Sequence, residues 1–175
     1  MGSKQPVWIQ RLWTWAVRCK LQRTLDRTYR TISSASVDRL WQTVVDLADV
    51  SWHPLLTSTN APYGLRPKPG LMYRAFTRWL PIPINVFVER VRPRELLSIR
   101  LFPIPGLEER VTYRIKSTVW GTQISYSVAL RGWLSPLAWS LLRPYAARVA
   151  SALARAAEQT TTPLSGNQRS NFQAW

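Results

Sequence analysis

The chain has 175 residues, 46% of them hydrophobic, which suits one domain with a sizeable core. It carries 24 Lys and Arg against 9 Asp and Glu, a formal charge of +15, so its natural partners are polyanions rather than cations. One cysteine, Cys19, excludes an intrachain disulfide and a cysteine metal cluster; one histidine, His53, excludes a multi-histidine zinc centre.

Residues 1–20 read as an amphipathic helix rich in Trp and Arg. Trp8, Leu12 and Trp15 recur at helical spacing, as do Ile9, Trp13 and Ala16, with Arg11 and Arg18 off those faces. Indole and guanidinium together suit a membrane interface, which makes Trp8, Arg11, Leu12, Trp13, Trp15 and Arg18 the candidate membrane contacts. Packing on its own domain or on a partner protein is the competing expectation. The arginines within this stretch argue against a secretory signal, and Pro6 argues against N-myristoylation. No apolar run approaches the ~20 residues that span a bilayer. The expectation is a cytoplasmic chain, peripheral on the inner face of a membrane.

Residues 21–159 form the domain proper. Leu21 to Ile32 reads as a first strand, and Ser36 caps a helix from Val37 to about Leu47. A second short helical turn or loop follows and stops at His53-Pro54. Proline and glycine then divide a run of strands: Leu55 to Thr59, Leu71 to Trp79, Ile84 to Val91, Leu96 to Phe102, Leu107 to Ser117 and Thr122 to Leu130. In the last hairpin Val111, Tyr113 and Ile115 alternate with charged or polar residues, as do Ile124, Tyr126, Val128 and Leu130. That alternation means one buried face and one wet, basic face. Ser135 as N-cap and Pro136 at the first position open a long helix to about Gln159, with a kink or break expected at Pro144. Residues 160–175 read as a polar tail.

Four stretches carry a resemblance. They are Ser36 to Trp41 with Asp46 to Asp49 and Trp52-His53-Pro54; Pro69-Gly70 before a strand; Glu89-Arg90-Val91 with Pro93 and Glu95-Leu96-Leu97; and Tyr113-Arg114-Ile115 with Gly121-Thr122. In this order they resemble the START-like superfamily, also called SRPBCC or polyketide cyclase/dehydrase and lipid transport. The resemblance implies an α+β helix-grip fold: a curved antiparallel sheet of about seven strands around a long C-terminal helix, with two short helices after the first strand. It implies a cavity between sheet and helix for a lipid, isoprenoid or polyketide-like molecule.

The inward-facing set then supplies the candidate ligand contacts. These are Trp41 on the first helix; Tyr73, Phe87, Leu101, Val111, Tyr113, Ile115, Tyr126 and Val128 on strands; and Leu142, Tyr145 and Val149 on the last helix. The alternative is that these side chains fill a solid core. A cyclase or dehydratase would need an acid or base in the cavity. The candidates are His53, expected near the surface, and Glu89, expected to pair with Arg74 or Arg100 unless it points inward. Glu108 and Glu109 read as a strand start balancing nearby arginines. No cofactor or metal site is expected. The partners expected are a hydrophobic small molecule and an anionic membrane or acidic protein. Nucleic acid is disfavoured, because the aromatics fall on apolar faces and no RNA-binding signature occurs. A third possibility is a structural subunit docked on an acidic assembly.

Overall fold

The structure is a computed structural model, and it describes residues 24–78 and 82–159. Its elements are β1 (Leu25–Ser33), α1 (Val37–Val45), β2 (Leu56–Thr59), β3 (Met72–Thr77), β4 (Ile84–Arg92), β5 (Leu96–Ile104), β6 (Leu107–Thr118), β7 (Gly121–Gly132) and α2 (Ser135–Gln159). The strands make one antiparallel 7-stranded sheet in the order β1-β7-β6-β5-β4-β3-β2. Every neighbour but β1–β7 is also a neighbour in sequence, so the sheet is a meander with β1 added at its far edge.

Period-two alternation gives the sheet two unlike faces. Across the concave face run three apolar rows: Tyr29–Tyr126–Tyr113–Leu97, Val128–Val111–Ile99–Val88, and Leu130–Glu109–Leu101–Val86. Apart from the tyrosine hydroxyls of the first row, the one polar group in these rows is the Glu109 carboxyl. The convex face carries hydroxyls and cations instead. Thr28 and Ser127 hydroxyls lie 2.8 Å apart, and Ser98 and Thr112 lie 3.3 Å apart. Glu89 bridges Arg100 and Arg110 at 2.7 and 2.9 Å.

Helix α1 starts at Ser36, whose hydroxyl accepts from the Arg39 N–H at 3.3 Å. The expected second short helix is absent. Asp46 Oδ1 accepts from the N–H groups of Ala48 and Asp49, and Asp49 Oδ1 from that of Ser51. These side chains compete for the donors a helix would need, and the segment stays a chain of turns. Strand β5 also runs further than expected. Pro103 lies within it rather than in a turn, at the register irregularity between Leu101 and Ile104.

Helix α2 is continuous through Pro144, which lies on its exposed side, where the carbonyl left without a donor can meet water. The expected break does not occur. Ser135 is not the cap: the Leu134 carbonyl accepts the first helical bond, and the Ser135 hydroxyl donates back to the Gly132 carbonyl at 2.8 Å. The two halves of α2 differ. Ala146, Val149, Ala150, Leu153, Ala154 and Ala157 are buried, their small side chains letting the helix sit close on the sheet and α1. Near its C-terminal end, Glu158 accepts from the Ser33 hydroxyl at 2.7 Å and the Ser34 N–H at 3.0 Å. The first half carries larger residues, and Leu137 and Leu141 remain 61% and 52% exposed. None of the described helices is long and apolar enough to cross a membrane.

Candidate functional site

Where the first half of α2 stands off the sheet, a cavity of about 320 Å3 remains. That lies within the usual size range of small-molecule sites. Its floor is the concave sheet: Ile84 from β4, Ile99 and Leu101 from β5, Leu107, Glu109, Val111 and Tyr113 from β6, and Tyr126 from β7. Its roof is Leu134, Leu137, Ala138, Leu141 and Leu142. His53, Leu55, Leu56 and Thr77 close one side. Leu137, Leu141 and Ile104 line the cavity and are also exposed, so they mark its mouth.

Of the residues expected to line it, Leu101, Val111, Tyr113, Tyr126 and Leu142 do. Tyr73, Ile115, Val128 and Val149 belong to the apolar core beside it, as does Trp41 at the edge of α1. Tyr145 is half-buried on α2 and away from the lining. Phe87 is misplaced in the sequence reading. It pairs with Arg100 and Met72 on the convex face, because Val86 and Val88 take the inward positions of β4. Glu89 shares the convex face and is held by its two arginines, which removes it as an acid inside the cavity. The six N-terminal residues expected at a membrane lie outside the described residues.

His53 is 6% exposed and lines the cavity, rather than lying near the surface. The turn after Pro54 aims the N–H groups of Leu55 and Leu56 at its Nδ1, at 3.2 and 3.3 Å. Both donate, so Nδ1 is unprotonated and the neutral ring carries its proton on Nε2. Burial disfavours the imidazolium and lowers the pKa to about 3. The adjacent Trp52 stacks edge-on with His53 and with Tyr113, at centroid distances of 5.2 and 6.2 Å.

Glu109 is the residue the sequence reading missed. It sits in the concave row between Leu101 and Leu130, 9% exposed, and faces the cavity. Among the described residues no side chain or backbone group bonds its carboxyl. Burial pushes its pKa up to about 7. The signal was present in the alternation: Glu109 has the parity of Val111 and Tyr113, and its neighbours Glu108 and Arg110 have the parity of the wet face. The hydroxyls of Tyr113 and Tyr126, with ring centroids 5.2 Å apart, are held in the neutral form by the same burial. The cavity is therefore apolar with a few polar groups: the neutral imidazole of His53, the neutral phenols of Tyr113 and Tyr126, and a carboxyl whose charge burial disfavours. No group of three His, Cys, Asp or Glu among the described residues is placed to hold a metal ion.

No protein-family model matches the sequence, and no curated protein matches it. Solved structures do match. An aromatase/cyclase from a Streptomyces species superposes with TM-score 0.66 at 12% identity, over 83% of this chain and 100% of that one. The chain has a START-like fold. A START superfamily protein from Mycobacterium smegmatis gives TM-score 0.60 at 17% identity, over 79% and 99% of the two chains. A Mesorhizobium loti protein gives 0.63 at 15% identity, over 79% and 100%. At these identities the START-like likeness is one of architecture, and any activity must be argued from the cavity itself.

Proposed function

We propose that this START-like domain binds and carries a hydrophobic small molecule in the cavity beneath α2, working at an anionic membrane surface. The observation that carries the reading is the unfilled 320 Å3 space with its aliphatic and aromatic lining. An apolar guest gains there by leaving water, at roughly 25 cal/mol per Å2 of apolar surface buried. The membrane part is supported by the +15 charge, the exposed Arg30, Arg114 and Lys116 of the convex face, and the exposed apolar rim at Leu137, Leu141 and Ile104. Lipid extraction and native mass spectrometry of the purified protein test the reading. The expected result is one bound apolar molecule per chain, carried over from expression or taken up from vesicles. Protein that retains and takes up none overturns it.

A cyclase or dehydratase is the second reading, favoured by His53 and Glu109 lining one cavity. It requires turnover of an offered polyketide-like substrate that is lost in both Glu109→Gln and His53→Asn and kept in Glu89→Gln.

A further inference from the structure

The cavity holds one carboxyl, that of Glu109, which has no hydrogen-bond partner among the described residues. Glu109 lies in the middle of the concave face, with Leu101 and Leu130 on either side, and its oxygens open onto the space beneath α2. A carboxyl that faces an apolar space and has no protein partner must be satisfied by whatever fills that space, so the side chain is complementary to something the cavity receives. We propose that Glu109 anchors the occupant, and that this occupant is a neutral apolar molecule with one carbonyl oxygen, docked against the uncharged carboxylic acid. The inference rests on the reading that the cavity binds a hydrophobic molecule, and it adds which end of that molecule goes where.

The surroundings decide between a neutral oxygen and an amine cation. From β6 the cavity receives Tyr113, from β7 Tyr126, and from the α1–β2 loop His53; Tyr29 of β1 and Tyr73 of β3 stand behind them. β5 offers Leu101 and α2 offers Leu137, Ala138, Leu141 and Leu142, none of which titrates. Arg100 and Arg110 are on the opposite face of the sheet, engaged with Glu89 and Glu108. An ammonium head brings three donors, and buried ion pairs are stable only when the remaining donors are satisfied. Here the neighbours are chiefly aliphatic, and the +15 chain repels a cation on approach. A single carbonyl oxygen only accepts, and asks for one hydrogen bond, which the acid form supplies and the carboxylate cannot. The guest also displaces water from the carboxyl, which further favours the uncharged form already favoured by burial.

Protonation and binding are then linked. Binding of the neutral guest is strongest with Glu109 protonated and weakens as pH rises and the carboxylate forms. The test uses the full chain and two probes of one shape, 2-acetylnaphthalene (a neutral ketone) and 1-(2-naphthyl)ethylamine (a cation). Both are titrated by calorimetry from roughly pH 6 to pH 9. The ketone is expected to bind with an affinity that falls about tenfold per pH unit once the carboxyl titrates. The amine is expected to bind at least about tenfold more weakly at the acid end. In Glu109→Gln, which keeps an uncharged donor, ketone binding is expected to persist at alkaline pH and lose its pH dependence. Tighter binding of the amine, or ketone affinity that is flat or rises with pH in the native chain, overturns the anchor. The native profile decides the matter even where the variant does not fold. If neither probe binds and the protein retains no lipid, the carrier reading itself falls with it.

Discussion

His53 and Glu109 respond to burial in opposite directions, because burial penalises whichever form is charged. For His53 the pKa falls from 6.5 to about 3 in the fold. The unfolded chain takes a proton that the folded chain refuses, so stability is full above pH 6.5 and drops as pH falls toward 3. For Glu109 the pKa rises from 4.5 to about 7, so the folded chain keeps a proton that the unfolded one releases. That contribution is full below pH 4.5 and is lost as pH rises through 7. Each slope is about 1.4 kcal/mol per pH unit, and between pH 4.5 and 6.5 they cancel. Urea unfolding across that window should find the native chain's stability nearly level. Glu109→Gln should gain stability with rising pH there. His53→Asn, whose amide oxygen can still accept from Leu55 and Leu56, should lose it. Two variants that keep the native profile would show that neither group titrates as its burial demands.

At the scale of elements, the cavity exists because α2 is built from unlike halves. Its alanine-rich half is pressed on β1, β7 and α1 and tied by Glu158 to Ser33 and Ser34. Its first half is propped by leucines and leaves space. Ala138→Phe should fill that space, abolish uptake of an apolar guest and raise stability by about 1 kcal/mol, as read by calorimetry with and without lipid. Retained uptake would place the guest elsewhere. The turn that launches α2 is tighter. Gly132 has φ of 128°, and a Cβ there would run into the Gly106 carbonyl across the β6–β7 pairing. Gly132→Ala should cost at least about 2 kcal/mol and tilt the roof of the cavity, which thermal unfolding would detect.

At the scale of the whole molecule, charge and greasy rim act together. The cations are spread over the convex face and the chain as a whole, so attraction to anionic lipid is long-ranged and screened by salt. Residues 1–20 add Lys4, Arg11, Arg18 and Lys20 beside Trp8, Leu12, Trp13 and Trp15. At about 1 kcal/mol per cation near the surface, deleting residues 1–20 should weaken binding to anionic vesicles by roughly tenfold or more. Vesicle sedimentation at low and high salt would check it. Binding unchanged by the deletion would take that segment out of the mechanism.

What the sequence by itself determined is what depends on local periodicity. Alternation in β6 and β7 set which residues face inward, and Ser36 set the start of α1, because side-chain direction and capping are decided within a few residues. The succession of strands and one long helix was legible for the same reason. Only the tertiary structure decided which inward residues line a cavity and which are packed solid. Tyr126 and Val128 lie on one strand face, yet one borders the cavity and the other is core, because the distance of α2 from the sheet changes along its length. Burial of His53 was decided in the same way. It lies among turns, where no periodicity fixes a side chain's direction, and its environment is made by strands distant in the chain, whereas the inward parity of Glu109 was legible in β6.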